Sequence, residues 1–237
     1  MLKIMHFSKC YKGGKKAVED LNLEIKAGDL YGFIGHNGAG KTTTLKSVAG
    51  ILDFEEGDIE IDGISIRKDP LECKRILAYI PDNPDLYEHL TGVQYLNFIG
   101  DIYEVKKDRR EAAIKKYADL FELTSSLGDL IGSYSHGMKQ KLAIISALIH
   151  KPKLLILDEP FVGLDPKAAH ILKTVMKEIC ENGGAIFFST HVLDVAEKLC
   201  NKIAIIKDGK LVVCGETEKV TGNQSLEELF LEMTNHE

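Results

Sequence analysis

Gly35-His36-Asn37-Gly38-Ala39-Gly40-Lys41-Thr42 follows the apolar run Leu30–Ile34 and leads into a helix-favouring stretch that starts at Lys41. A glycine-rich loop closing on Lys and Thr, set between a strand and a helix, is the arrangement that cradles the phosphates of a nucleotide. Gly35, Gly38 and Gly40 are expected to adopt backbone angles that a Cβ would obstruct, so that successive amides, those of His36, Asn37 and Ala39 among them, curl around phosphate oxygens. The positive end of the following helix adds to that field. Lys41 would reach the β- and γ-phosphates as a mobile point charge. The Thr42 hydroxyl would help hold a Mg2+ ion, with Thr43 as a second hydroxyl in reserve.

Around this loop the whole chain sets bounds. Its 237 residues, 44% of them hydrophobic, can bury a sizeable core as one large domain or one domain with a substantial insertion. A formal net charge of −6 argues against broad adhesion to nucleic acid, which needs a basic surface. Cys10, Cys73, Cys180, Cys200 and Cys214 are scattered singly, without the close pairs of zinc or redox motifs, and read as reduced thiols. The start, Met1 to Phe7, lacks a signal-peptide core, and no run approaches the roughly 18 to 20 apolar residues that cross a bilayer. Leu142 to Ile149 is the longest apolar stretch and fits a buried helix. A membrane role would therefore require docking on a partner that spans.

On either side of the loop, Leu21, Leu23 and Ile25 alternate with polar residues, as do Ile59 with Ile61 and Ile64 with Ile66, and Asp62-Gly63 between the last two pairs is a hairpin turn. The pattern from Leu2 to Ile66 predicts a small antiparallel sheet beside the phosphate-loop strand. A helical block follows, with Thr91 and Gln94 as a capping box and a further helix near Asp108. Downstream, the strand at Leu154 to Leu157, a helix announced by Asp165 and Pro166, and the strand at Ala185 to Phe188 alternate as a parallel sheet requires. Lys207 to Lys210 turns a last hairpin. Ser225 and Glu228 cap a terminal helix whose Leu226, Leu229, Phe230 and Met233 share one face. The expectation is an α/β fold: a P-loop NTPase core with a mainly parallel sheet, an antiparallel β subdomain and an inserted helical subdomain. The core would take residues 1–84 and 151–237, and the insertion 85–150.

Leu154 to Pro160 is an apolar strand ending in two adjacent carboxylates. At the carboxyl edge of a parallel sheet this places Asp158 to hold Mg2+ and Glu159 to polarise an attacking water. Tyr134-Ser135-His136-Gly137-Met138-Lys139-Gln140 lies shortly upstream, and Gly163-Leu164-Asp165-Pro166 and Ser189-Thr190-His191 lie downstream. With these motifs in this order, essentially the whole chain resembles the nucleotide-binding subunit of ATP-binding cassette (ABC) transporters.

The resemblance implies roles that spacing alone does not. Tyr134 to Gln140 looks like the family's signature, Gly163 to Pro166 like its D-loop, and His191 like its switch histidine. Tyr11 stands where the family stacks a ring on adenine. Two subunits would pack head to tail, so that Ser135, His136 and Gly137 of one close over the γ-phosphate held by the other. Lys41, Glu159 and His191 would then be catalytic residues of an ATPase using ATP and Mg2+, peripheral at the cytoplasmic face of a membrane, with an integral permease subunit and a second ATP-binding subunit as partners and no nucleic acid. A bacterial origin is expected.

The pattern also departs from the family. Where a glutamine usually touches Mg2+, this chain has Asp82, whose oxygen can ligate the metal but lacks the amide donor. His136 and Met138 replace a glycine and a glutamine in the signature, and Tyr134, Met138 and Lys139 resemble the version found in bacterial exporters. The loop Pro84 to His89 is the expected seat for a helix of the membrane subunit. Rival readings are a soluble ABC ATPase acting on ribosome or nucleic acid, a binding module that holds ATP without turnover, and a small-molecule kinase. The acidic balance opposes the first, Glu159 with His191 the second, and Tyr134 to Gln140 the third.

Overall fold

The computed structural model describes residues 1–14 and 16–235. Its first half opens with strands β1 (Leu2–Cys10), β2 (Lys16–Ile25) and β3 (Leu30–Ile34), helix α1 (Lys41–Val48), strands β4 (Glu56–Ile61) and β5 (Ile64–Ser65), helix α2 (Pro70–Ile76) and strand β6 (Leu77–Ile80). The chain then leaves the sheets as α3 (Gly92–Ile102), α4 (Lys107–Leu120) and α5 (His136–Leu148). It returns as β7 (Leu154–Asp158), α6 (Pro166–Glu181), β8 (Ala185–Thr190), α7 (Leu193–Leu199), β9 (Lys202–Lys207) and β10 (Lys210–Glu216), and ends in α8 (Thr217–Thr221) and α9 (Leu226–Asn235).

Two sheets result. β2-β1-β4-β5 is antiparallel, and β10-β9-β3-β8-β7-β6 is parallel except where β10 returns along β9. Register in the first follows burial: Leu2 opposes Ile25 and Ile61, and Ile4 opposes Leu23 and Ile59, so all the apolar side chains fall on one face. Asp62 and Gly63, at φ 54° and 81°, make the tight turn between β4 and β5; Asp208 and Gly209, at 48° and 79°, make the one between β9 and β10.

Every residue of β3, β7 and β8 is buried, as expected of strands covered on both faces. Alternation divides their side chains between two cores. Tyr31, Phe33, Ile156 and Phe187 pack toward α1 and the antiparallel sheet, while Leu30, Ile34, Leu155, Leu157 and Phe188 pack toward α5 and α6. α9 docks by Leu226 and Leu229 on the latter core, capped by Ser225 and Glu228 in mutual hydrogen bonds. The Thr91–Gln94 capping box and the Asp165 cap, with Pro166 next, are formed as the sequence signals. Asp69-Pro70 carries the same signal and opens α2, a helix outside the sequence expectation. The consequence for function is positional: β3, β6, β7 and β8 run the same way and bring their carboxyl ends to one edge.

Candidate functional site

At that edge the glycine-rich loop joins β3 to α1. Gly38 and Gly40 have φ of 86° and 109°, the left-handed region that favours glycine. Gly35 differs from expectation: its backbone angle is ordinary, and glycine is required there by space, since a Cβ would stand 2.5 Å from the Ile206 carbonyl oxygen. Gly40 is constrained twice, because its Cβ would also meet the Ala17 carbonyl at 2.5 Å. The β9–β10 turn braces the loop from outside. The Gly209 N–H donates to Ala39 O at 3.0 Å, the Glu19 N–H donates to Gly209 O at 2.8 Å, and the His36 ring lies 3.5 Å from the Asp208 carboxylate.

Lys41, 6% exposed, donates from Nζ to Gly35 O at 2.6 Å and lies 3.6 Å from Glu159 Oε1. Burial pulls its pKa down, while the Glu159 and Asp158 carboxylates oppose that pull. The loop opens on a cleft of about 310 Å³ whose lining includes Tyr11, His36, Asn37, Gly38, Gly40, Lys41, Thr42, Thr43, Asp82, Asp158 and Glu159. Residues from four separate sequence motifs therefore meet in one hollow. Tyr11 is held at its rim by a 3.2 Å contact between its hydroxyl and that of Thr43.

β7 supplies the acids. Asp158 is its last residue, 1% exposed, and Glu159 turns away at φ 46°. Ser189 on the neighbouring strand β8 pairs in register with Asp158 and holds both acids in place: its hydroxyl donates to Asp158 Oδ1 and accepts the Glu159 N–H at 3.0 Å. This residue was missed as a site residue; the available signal was the polar Ser189 closing an apolar strand two residues before His191. Asp158 Oδ2 is buried without a hydrogen-bond partner in the protein, a carboxylate oxygen suited to a hard cation. Asp82 lines the same cleft, although its carboxylate also accepts the Asn83 N–H at 2.9 Å in a local turn. Among the described residues no cluster of three or more His, Cys, Asp or Glu side chains forms a metal cage. One or two carboxylates with a hydroxyl and phosphate oxygens are what Mg2+ commonly uses. His191 Nδ1 lies 2.9 Å from Glu159 Oε1, with the histidine half-exposed and the glutamate largely enclosed. Replacing Ser189 by Ala strips the hydroxyl from a buried carboxylate, a loss of about 1–3 kcal/mol. The expected outcome is a melting temperature lower by several degrees, read by thermal unfolding; an unchanged melt would remove Ser189 from this role.

Ser135, His136 and Gly137 are not among the residues lining that cleft. Ser135 caps α5, its hydroxyl accepting the Met138 N–H at 3.3 Å, which leaves the start of a 13-residue helix as a second anion-favouring point. The His136 ring lies against Gly163, where a Cβ would be 2.3 Å from its Cδ2, and Lys141 pairs with Asp165 at 2.7 Å. The signature-like loop and the 163–166 loop thus clasp each other within one chain. In the 84–89 loop, Tyr87 is half-exposed and stands edge-on to the exposed Phe98 ring at 5.6 Å, and Glu88 pairs with Lys139 of α5. Among the described residues no helix is long and apolar enough to cross a membrane.

Comparison with known proteins agrees with this geometry. The model of the ABC transporter family matches residues 18–162. The ABC transporter ATP-binding protein YhcH of Bacillus subtilis (strain 168) is 37% identical over 201 residues, 84% of this chain and 65% of that protein, so the chain spans slightly less than two thirds of YhcH. The bacitracin transport ATP-binding protein BcrA of Bacillus licheniformis is 38% identical over 213 residues, 90% of this chain and 68% of BcrA. A solved ATP-binding subunit of an ABC transporter superposes with a TM-score of 0.95 at 34% identity, covering 99% of this chain and 100% of that one. The ATP-binding cassette MJ0796, in a dimeric post-hydrolysis state bound to ADP and Pi, gives 0.83 at 25% identity, covering 92% and 99%.

Proposed function

The chain belongs to the ABC transporter family as an ATP-binding subunit with ATPase activity, and from that premise we propose that it powers an exporter by ATP-dependent, head-to-tail dimerisation. The observation that carries this reading is the separation of two anion-favouring places. The cleft of Lys41, Thr42, Asp158 and Glu159 can take a triphosphate, and the Ser135 cap lies outside its lining. A second copy is the economical way to bring that serine onto the γ-phosphate, and the dimeric state of MJ0796 with ADP and Pi supports it.

In this mechanism the amides of the loop and Lys41 hold the β- and γ-phosphates, and Tyr11 offers its ring to the base. Mg2+, when bound, neutralises charge on the phosphates; Asp158 through Oδ2, Thr42 through its hydroxyl, and Asp82 are the residues that would hold it. Glu159 orients and deprotonates water for in-line attack. His191, hydrogen-bonded to Glu159, fixes that carboxylate and reaches the γ-phosphate. The partner's signature loop completes the charge stabilisation. His191→Ala is expected to lower kcat by about 100-fold while ATP affinity changes by no more than about threefold. Equal losses in both would remove the histidine from catalysis. Asp82→Ala should shift the Mg2+ dependence of turnover to higher concentration, and an unchanged dependence takes Asp82 out of the metal site.

The export assignment rests on Tyr134, Met138 and Lys139 and on the likeness to BcrA. The partner would be an integral permease received at Tyr87 and Phe98, with the chain peripheral at the cytoplasmic face of a bacterial membrane. Division of the chain into a core of residues 1–84 and 151–237 and a helical part of 85–150 fits this mechanism, because the Glu88–Lys139 pair ties the docking loop to the signature helix. Affinity capture from detergent-solubilised membranes tests it: recovery of an integral membrane protein with the chain is expected, whereas ribosomes or DNA in its place would favour the soluble class.

A further inference from the structure

We propose that the cleft between the α3–α4 connection, α4 and the end of α5 is a second ligand site, one that binds a small molecule carrying two or more phosphate groups. The hollow measures about 730 Å³, more than the 310 Å³ of the phosphate-loop cleft, and shares no residue with it. Four cations converge on it from three segments: Lys106 before α4, Arg109 and Lys116 about two turns apart on one face of α4, and Lys151 after α5. Ala112 and Ala113 lie between Arg109 and Lys116 and keep the floor low.

The charges there are not offset. Among the described residues none of the four forms an ion pair with a carboxylate, and Lys116 only rests over the Tyr117 ring, 5.1 Å from its centroid. The one acid on the wall, Glu104, is turned to Arg75 at 3.8 Å. Three cations beside other hollows are paired, Lys41 with Glu159, Lys153 with Asp62 and Lys202 with Asp29, whereas here, among the described residues, all four are without a carboxylate partner. Unpaired positive charge gathered in a concavity focuses anions, and four cations suit a ligand with several phosphate oxygens better than a singly charged one.

The remaining wall gives the ligand a second feature. The rings of Tyr103 and His150 stack 3.7 Å apart at 8°. His150 Nε2 donates to Leu77 O at 3.1 Å, burial holds its pKa down, and its Nδ1 has no hydrogen-bond partner in the protein. The wall is therefore flat and uncharged, which fits a ring of the ligand laid against it. Through Leu77, the first residue of β6, the wall touches the base of the sheet at the end opposite Asp82 and Asp158. This inference does not depend on the transport reading.

Calorimetric titration of metal-free protein with inorganic tripolyphosphate tests the proposal. The wild-type chain should bind two equivalents, and Lys41→Ala, which disables the phosphate loop, should retain one. Adding Arg109→Ser and Lys116→Ser to that variant should weaken the remaining site by about tenfold or more. Adding Lys107→Ser and Lys115→Ser instead, which removes equal charge from α4 outside the lining, should leave it. Amide exchange should slow at residues 103–117 and 149–151 on binding. The proposal is overturned if Lys41→Ala binds nothing, if the remaining site survives loss of Arg109 and Lys116, or if both pairs of substitutions weaken it equally.

Discussion

Glu159→Gln is expected to cut ATP turnover by about 100-fold or more while the chain still binds nucleotide, and to accumulate as a dimer in saturating ATP and Mg2+. The carboxylate is placed for deprotonation by two contacts, the Ser189 hydroxyl at its backbone N–H and the His191 ring at Oε1. Glutamine fits the same space and keeps a hydrogen bond to His191, but it cannot take a proton. It also removes the negative neighbour of Lys41, 3.6 Å away, so the ammonium has only Asp158 and the phosphates to answer to. Binding is thereby retained or strengthened while the step that would release the dimer is slowed. Size-exclusion chromatography with ATP and Mg2+, set beside phosphate release, reads both effects. A Glu159→Gln chain that stays monomeric, or that turns over at the parent rate, would sink the dimer mechanism or the role of Glu159 respectively.

Gly40→Val should reduce ATP affinity by about 100-fold, equivalent to about 2.7 kcal/mol. The position has φ of 109°, which β-branched residues rarely adopt, and a Cβ there would be 2.5 Å from a backbone carbonyl that has no side-chain freedom to retreat. The loop must therefore be remade, and its amides no longer converge. Gly38→Ala is the internal contrast: φ is 86° but nothing lies within 4 Å of the added Cβ, so the cost is the left-handed strain alone, about 1 kcal/mol. Binding of a fluorescent ATP analogue, with thermal unfolding to confirm that each variant folds, ranks the two. If Gly40→Val binds as well as Gly38→Ala, the close approach to Ala17 does not shape the cradle.

Short-range chemistry was legible in the sequence, and long-range packing was not. Thr91 with Gln94, Asp165 with Pro166, and Asp62 with Gly63 announce their structures because each is decided by atoms a few residues apart. The phosphate loop and Asp158-Glu159 were readable because strand, turn and helix signals surround them, and the cleft does bring Tyr11, Asp82 and these motifs together. Ser189 escaped notice because its meaning lies in register with a residue 31 positions earlier. The reason for glycine at position 35 was misread for the same cause: the obstacle is Ile206, on a strand formed much later in the chain. His136 against Gly163 is likewise a contact between two loops that no local pattern foretells.

The turn at Asp208 and Gly209 has a thermodynamic consequence for the phosphate cradle. Because Gly209 is bonded to Ala39 on one side and to Glu19 on the other, the loop is tied into the tertiary framework by its outer surface; against the sequence expectation the Ala39 N–H is turned inward to His36 O at 3.1 Å, and Ala39 does not line the cleft. The loop's backbone entropy is surrendered during folding, and an arriving nucleotide meets a mould already set. Little of the binding energy is then consumed in ordering the protein, and more remains to draw subunits together.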